Sequence, residues 1–237
     1  MRKIDFMGRK MPVSRKYLAI TLAGAASLAA GALNAQAKPN WLLAFAVTDK
    51  GAYVVGNPAA PDKVVEYLSY TCGHCADFEA KEAPAFKAHY VASGKASLEI
   101  RNYVLNAYDL TAAMLARCGG KGRFFGNQKH LMATQSVWLG KTGNISAATK
   151  AKLEAGNYHG FMAGAYAELG LGPIMQQRGV GPAQAKACLA DKAALKAVID
   201  MTEAGSTMGV TGTPTFLVNG ELQEHMHSFA ELKAKLK

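Results

Sequence analysis

Residues 70–78, YTCGHCADF, hold two of the chain's four cysteines, Cys72 and Cys75, separated by two residues. An apolar run at 63–70 precedes the pair and suits a strand buried on both faces. A helix-forming run follows through 72–92, so the pair falls at a helix start; Pro84 is expected to kink or interrupt that helix. There the backbone N–H groups converge on the first sulfur and the helix dipole is positive, which favours a thiolate at Cys72. Cys72 is therefore the candidate nucleophile. Cys75, one turn on, is the more shielded partner that resolves a mixed disulfide. The imidazole of His74 can stabilise the thiolate further, and a favoured thiolate makes the disulfide more oxidising.

Reading outward, a short strand near residues 52–55 and a Pro/Gly turn region at 56–61 come before the apolar run. After Gly94, ASLEIRNYVL (96–105) alternates as a strand, with Leu98, Ile100 and Asn102 on one face. From 109 to about 208 the composition is that of several short helices broken by glycines. Asp109 and Gly119 are read as the start and end signals of one of them, Asp191 and Gly205 of another. The end returns to strand: residues 215–218 and 221–225 flank Asn219-Gly220, a two-residue hairpin signal, and Ser228 caps a last helix.

Half the residues are hydrophobic and 19% are charged, which excludes a disordered chain. Of the net charge of +10, half lies in residues 1–37, where six Lys and Arg meet one Asp. The remaining charge is scattered, with no basic stripe or aromatic interleaving, so no nucleic-acid partner is expected. Residues 1–37 read as a signal peptide: basic residues, an apolar run at 17–33, then small residues at Ala35 and Ala37, with cleavage after Ala37 and export to the periplasm. The alternative is an uncleaved anchor, since the run approaches the ~20-residue spanning length. Lys16 stands where a twin-arginine signal needs arginine, which favours the general secretory route. Met11 is a second candidate start. In an exported chain disulfides persist, and four cysteines allow three pairings.

Two further features have both a functional and a bland reading. Glu66 lies in the apolar run VVEYL (64–68); it is either a buried acid able to carry the proton Cys75 must lose, or a side chain facing solvent from an edge strand. Pro214 follows Thr213 at the start of a strand, where proline is common, and a cis bond is the minority outcome for such a pair.

CGHC at a helix start, a glutamate six residues upstream in a strand, and Thr-Pro entering a late strand together resemble the thioredoxin superfamily. The chain is most similar to its DsbA-like secreted thiol:disulfide oxidoreductases, over roughly residues 50 to 237. The resemblance implies an α/β thioredoxin fold with an inserted all-helical subdomain: signal peptide 1–37, thioredoxin-like part 38–107 with the CxxC, helical insertion 108–195, and a second thioredoxin-like part 196–237. It implies that Pro214 is cis and, with Thr213, forms a peptide-binding rim against Cys72 and Cys75, and that Glu66 is the buried acid. It also implies reduced exported polypeptides as substrates, a DsbB-like membrane oxidase for reoxidation, and no cofactor beyond the redox-active Cys72-Cys75 disulfide. Two positions depart from the DsbA pattern: Gly73 stands where proline is frequent, and Thr213 where valine is known.

The dimeric isomerases also carry threonine there, but the about a dozen residues between Ala37 and Gly51 hold no dimerisation domain, so a monomer is expected. With the CxxC bonded locally, Cys118 and Cys188 are left for each other, and in an exported chain a structural disulfide is favoured over two buried thiols. Two other functions stay in play: a reductase or isomerase of the same fold, and a metal-binding CxxC module. The latter needs two further ligands near Cys72 and Cys75, and HMH at 225–227 reads better as a hairpin edge.

Overall fold

A computed structural model describes residues 39–223, 226 and 228–237. The signal peptide expected at residues 1–37, with the cleavage expected after Ala37, and His225 and His227 lie outside the described residues. The sheet is built from β1 (Phe45–Val47), β2 (Tyr53–Gly56), β3 (Asp62–Leu68), β4 (Ala96–Asn102), β5 (Thr215–Val218) and β6 (Glu221–Gln223) in the spatial order β1-β2-β4-β3-β5-β6. Only β3 and β4 run parallel; the other neighbours are antiparallel.

Strand β3 lies inside the sheet, paired on both sides, and its side chains alternate between two apolar layers. Val64 and Leu68 join the large core under the helices, while Val65 and Tyr67 pack with Val210 and Leu217 on the other face. Burial on both faces explains why this run carries no polar alternation in sequence. Strand β1 was not read from sequence. It has three residues and a mostly exposed face, too little to make a pattern, and it exists by pairing Phe45 to Val55.

Cys72 caps α1 (Gly73–Asp77), and the helical path continues through a π-helical turn (Phe78–Glu82), α2 (Ala83–Phe86) and a second π-helical turn (Lys87–Val91). The interruption expected at Pro84 takes this form: with no N–H at residue 84, the turn before it widens and Ala83 N–H donates to Phe78 O.

Between β4 and β5 run α3 (Ala107–Ala116), α4 (Lys121–Ala133), α5 (Gln135–Leu139), α6 (Ala147–Glu154), α7 (Tyr158–Glu168), α8 (Leu171–Gln176), α9 (Pro182–Leu189) and α10 (Lys192–Thr207). Their buried residues, among them Phe124, Leu131, Trp138, Phe161 and Met162, belong to the same core cluster as those of the sheet. Cys118, after α3, and Cys188, in α9, form a disulfide with Cα atoms 5.7 Å apart. Helix α10 runs without a break across residues 195 and 196, where the sequence reading ended the insertion. The hairpin turns at Asn219 and Gly220, with φ of 54° and 90°, and α11 (Phe229–Lys233) begins with a Ser228–Glu231 capping box. This is the thioredoxin fold with helical insertion that the sequence reading implied.

Gly205 does not end α10, as its sequence role suggested; the helix continues to Thr207. The glycine is needed for packing instead. A Cβ at 205 would stand 2.8 Å from Tyr67 Cε1 and 3.1 Å from Tyr103 Cδ2, in two rings that meet edge to face. Gly205→Ala is therefore expected to destabilise the protein by about 1–2 kcal/mol, overpacking outweighing the ~1 kcal/mol that alanine gains in a helix. A urea denaturation midpoint equal to or above that of the parent would show that the rings yield.

Candidate active site

The helix start positions the first sulfur. Cys72 adopts the extended conformation of an N-cap (φ −86°, ψ 117°), and its Sγ accepts from Cys75 N at 3.3 Å, the place a serine or aspartate oxygen takes in an ordinary cap. The thiol also reaches Thr213 O at 3.1 Å. The bond from Thr213 to Pro214 is cis. Hydrogen bonding from Cys75 is the largest influence on Cys72. Partial burial opposes it, and the Thr213 side chain and the backbone N–H groups of Cys75 and His74 add to it, so that the thiol is lowered to about 5. Cys75, fully buried, is pushed far the other way by desolvation, by Cys72 and by Glu66. Both cysteines are free thiols here.

His74 lies on the exposed side of the first turn, and its backbone N–H is what acts on the Cys72 sulfur. Glu66 is 1% exposed on β3, between Ile100 of β4 and Phe216 of β5, which removes the edge-strand reading. Its Oε2 is buried without a hydrogen-bond partner. Desolvation, followed by the neighbouring Glu79, raises its carboxyl to about 8, with Lys87 opposing and Cys72 adding to the rise. The structure thus brings Cys72, Cys75, Glu66, Thr213 and Pro214 into one site, and keeps Cys118 and Cys188 apart from it in their own disulfide.

Two carboxylates at this site were not assigned there from sequence. Glu79, 4% exposed, takes Lys87 Nζ at 2.8 and 3.0 Å and Gln128 Nε2 at 3.1 Å. Its position four residues beyond Cys75 was the available signal, since that spacing repeats a helix face. Asp109 was read as the cap of α3, but the cap is Asn106, whose Oδ1 accepts from Tyr108 N and Asp109 N. Asp109 itself is 1% exposed and accepts from Tyr70 N at 2.7 Å and Leu105 N at 2.9 Å, fastening the turn before Cys72. Burial is the largest influence on it and lifts its carboxyl to about 6 against those hydrogen bonds.

Among the described residues no group of three or more His, Cys, Asp or Glu side chains could hold a metal ion, and the bonded Cys118 and Cys188 are not available as ligands. No described helix is long and apolar enough to cross a membrane.

The family model described as Thioredoxin matches residues 48–237. A provisionally named protein-disulfide oxidoreductase of Rickettsia typhi is 30% identical over 179 residues, covering 75% of this chain and 58% of the relative. One of Rickettsia bellii is 30% identical over 189 residues, covering 79% and 64%. The chain therefore spans less than two thirds of the length of these relatives. Among solved structures, a protein-disulfide isomerase from Novosphingobium aromaticivorans superposes with a TM-score of 0.70 at 31% identity, over 76% of this chain and 93% of that one. Wolbachia pipientis alpha-DsbA1, at 21% identity and a TM-score of 0.60 over 79% and 90%, shares the fold.

The raised value of Glu66 has a stability consequence of definite sign. A carboxyl that titrates at 4.5 in the unfolded chain and at about 8 in the folded one contributes fully below pH 4.5, and that contribution is lost as pH rises through 8. Glu66→Gln removes this titration while keeping the shape. The variant should become more stable relative to the parent as pH rises across that window, by about 5 kcal/mol over the whole of it, from ~1.4 kcal/mol per pH unit. Urea unfolding of both proteins at a series of pH values checks it; a difference that does not change with pH means Glu66 does not titrate there.

Proposed function

This chain belongs to the thioredoxin family, and from that premise we propose that it is a periplasmic DsbA-like thiol:disulfide oxidoreductase that donates disulfides to exported proteins through Cys72 and Cys75. The observation that carries the reading is the asymmetry of the pair: Cys72, held on N–H groups at a helix start and lowered to about 5, against Cys75, buried and pushed up.

In the oxidised protein a substrate thiolate attacks Cys72 Sγ. The bond between the two cysteines breaks, and Cys75 leaves as a thiolate that its apolar surroundings cannot keep charged. Glu66, protonated near neutral pH, supplies the proton. A second substrate thiolate then attacks the substrate sulfur of the mixed disulfide and expels Cys72 as the stabilised thiolate. The substrate loses two electrons and gains a disulfide, and the pair is left reduced. Because the reduced side is stabilised at Cys72, the disulfide is a good oxidant. Thr213 and Pro214 form the rim on which an extended substrate segment lies, and His74 stabilises the Cys72 thiolate through its backbone N–H. Reoxidation requires an oxidant, assigned to a DsbB-like membrane oxidase, with the chain acting as a monomer after cleavage near Ala37. The redox-active disulfide is the only cofactor in this scheme.

An isomerase or reductase role is the second reading. It is favoured by Gly73, which gives the CGHC dipeptide of protein disulfide isomerases, and by the name of the Novosphingobium relative.

Cys75→Ala should accumulate mixed disulfides joined through Cys72, visible on non-reducing gels after acid quench, whereas Cys72→Ala forms none. Clean turnover of a reduced substrate by Cys75→Ala would overturn the assignment. Equilibration of the pair with glutathione separates the readings: a strongly oxidising pair marks the donor, a reducing one the alternative.

A further inference from the structure

The turn that delivers Cys72 from β3 to α1 is held by side chains from the helical insertion. Tyr70 N–H donates to Asp109 Oδ1 in α3. The Tyr70 carbonyl accepts from Gln135 Nε2 at 2.8 Å, and the same amide nitrogen donates its other hydrogen to Cys72 O at 2.9 Å. Gln135 is the first residue of α5, more than 60 residues along the chain. Carbonyls on either side of Thr71 thus converge on one donor, so the backbone of the turn curves around the glutamine amide. The Cys72 carbonyl also receives Ala76 N–H at 3.2 Å, a first bond of the helix. Its direction therefore fixes both ψ of Cys72 and the aim of the cap. With Met132, Ser136, Gly73 and His74, Gln135 also lines a surface groove of about 450 Å³ beside the two cysteines.

We propose that Gln135 is a positioning residue for the reacting sulfur: by holding the carbonyls of Tyr70 and Cys72, its amide keeps Cys72 Sγ seated on the N–H groups that open α1. This rests on the reading of Cys72 as the nucleophile. The insertion thereby acts on the redox pair through one side chain, without contributing an atom to the exchange.

Gln135→Leu keeps the bulk and removes the donor; Gln135→Glu keeps the length and turns a carboxylate toward the two carbonyl oxygens, which it can only repel. In the full reduced chain, thiolate absorbance followed against pH should show Cys72 ionising about threefold less readily in Gln135→Leu and about tenfold less readily in Gln135→Glu, a half and a full pH unit in midpoint. The glutathione equilibrium should move toward the disulfide form in the same order, while urea unfolding of the oxidised proteins reports whether the fold is kept. If the leucine variant does not fold, the glutamate variant, favourable in a first helical turn, carries the test. A wild-type midpoint near an ordinary thiol would sink the nucleophile reading itself, and this inference with it. A depressed wild-type midpoint that neither variant moves would overturn the role of Gln135 alone, and lost stability with unchanged titration would mark it as a packing contact.

Discussion

A sulfur atom serving as the N-cap of a helix is the constraint on which the rest of the site depends. The first turn of any helix leaves backbone N–H groups without intrahelical partners. Here Cys72 answers one of them with its side chain, which lowers the free energy of the charged sulfur and not of the neutral one. The same geometry sends Cys75 inward a turn later, into the apolar layer beneath α1, where charge is penalised. Two chemically identical thiols thereby acquire opposite tendencies from a separation of three positions.

The exchange proposed for this pair needs a proton carrier inside the protein, and in that scheme the role falls to Glu66, a carboxyl in a central strand with one oxygen unpartnered. Its neighbours come from the helices. Glu79, Lys87 and Gln128 form one buried polar group beside it, and Asp109 and Gln135 hold the backbone of the turn. The helical insertion is therefore a wall of the active site as well as a cover for the sheet. The disulfide between Cys118 and Cys188 closes a loop within it, worth roughly 4 kcal/mol by the chain-entropy account.

Legibility in the sequence followed how local each signal is. The CxxC at a helix start, the hairpin at Asn219-Gly220 and the Ser228 cap are readable because the residues that make the structure adjoin one another. Strand β1 was not, since three residues become a strand only when β2 lies beside them. Asp109 looked like a cap because aspartate at a helix start usually is one. Asn106, three residues earlier, took that role, and Asp109 faced the active-site turn instead. Gly205 resembled a helix end, although its absent side chain makes room for Tyr67 and Tyr103.

The sequence alone determined the thioredoxin-type order of elements, the identity of the paired cysteines and which of them meets the helix start, because strand pattern, helix start and CxxC spacing are properties of contiguous residues. The tertiary structure alone decided that Glu66 is desolvated within a central strand, that Glu79 and Asp109 join it as buried acids, and that Gln135 reaches the Cys72 carbonyl. Those outcomes depend on which distant segments pack together, and burial, the agent that shifts a carboxyl or a thiol, exists only after they have done so.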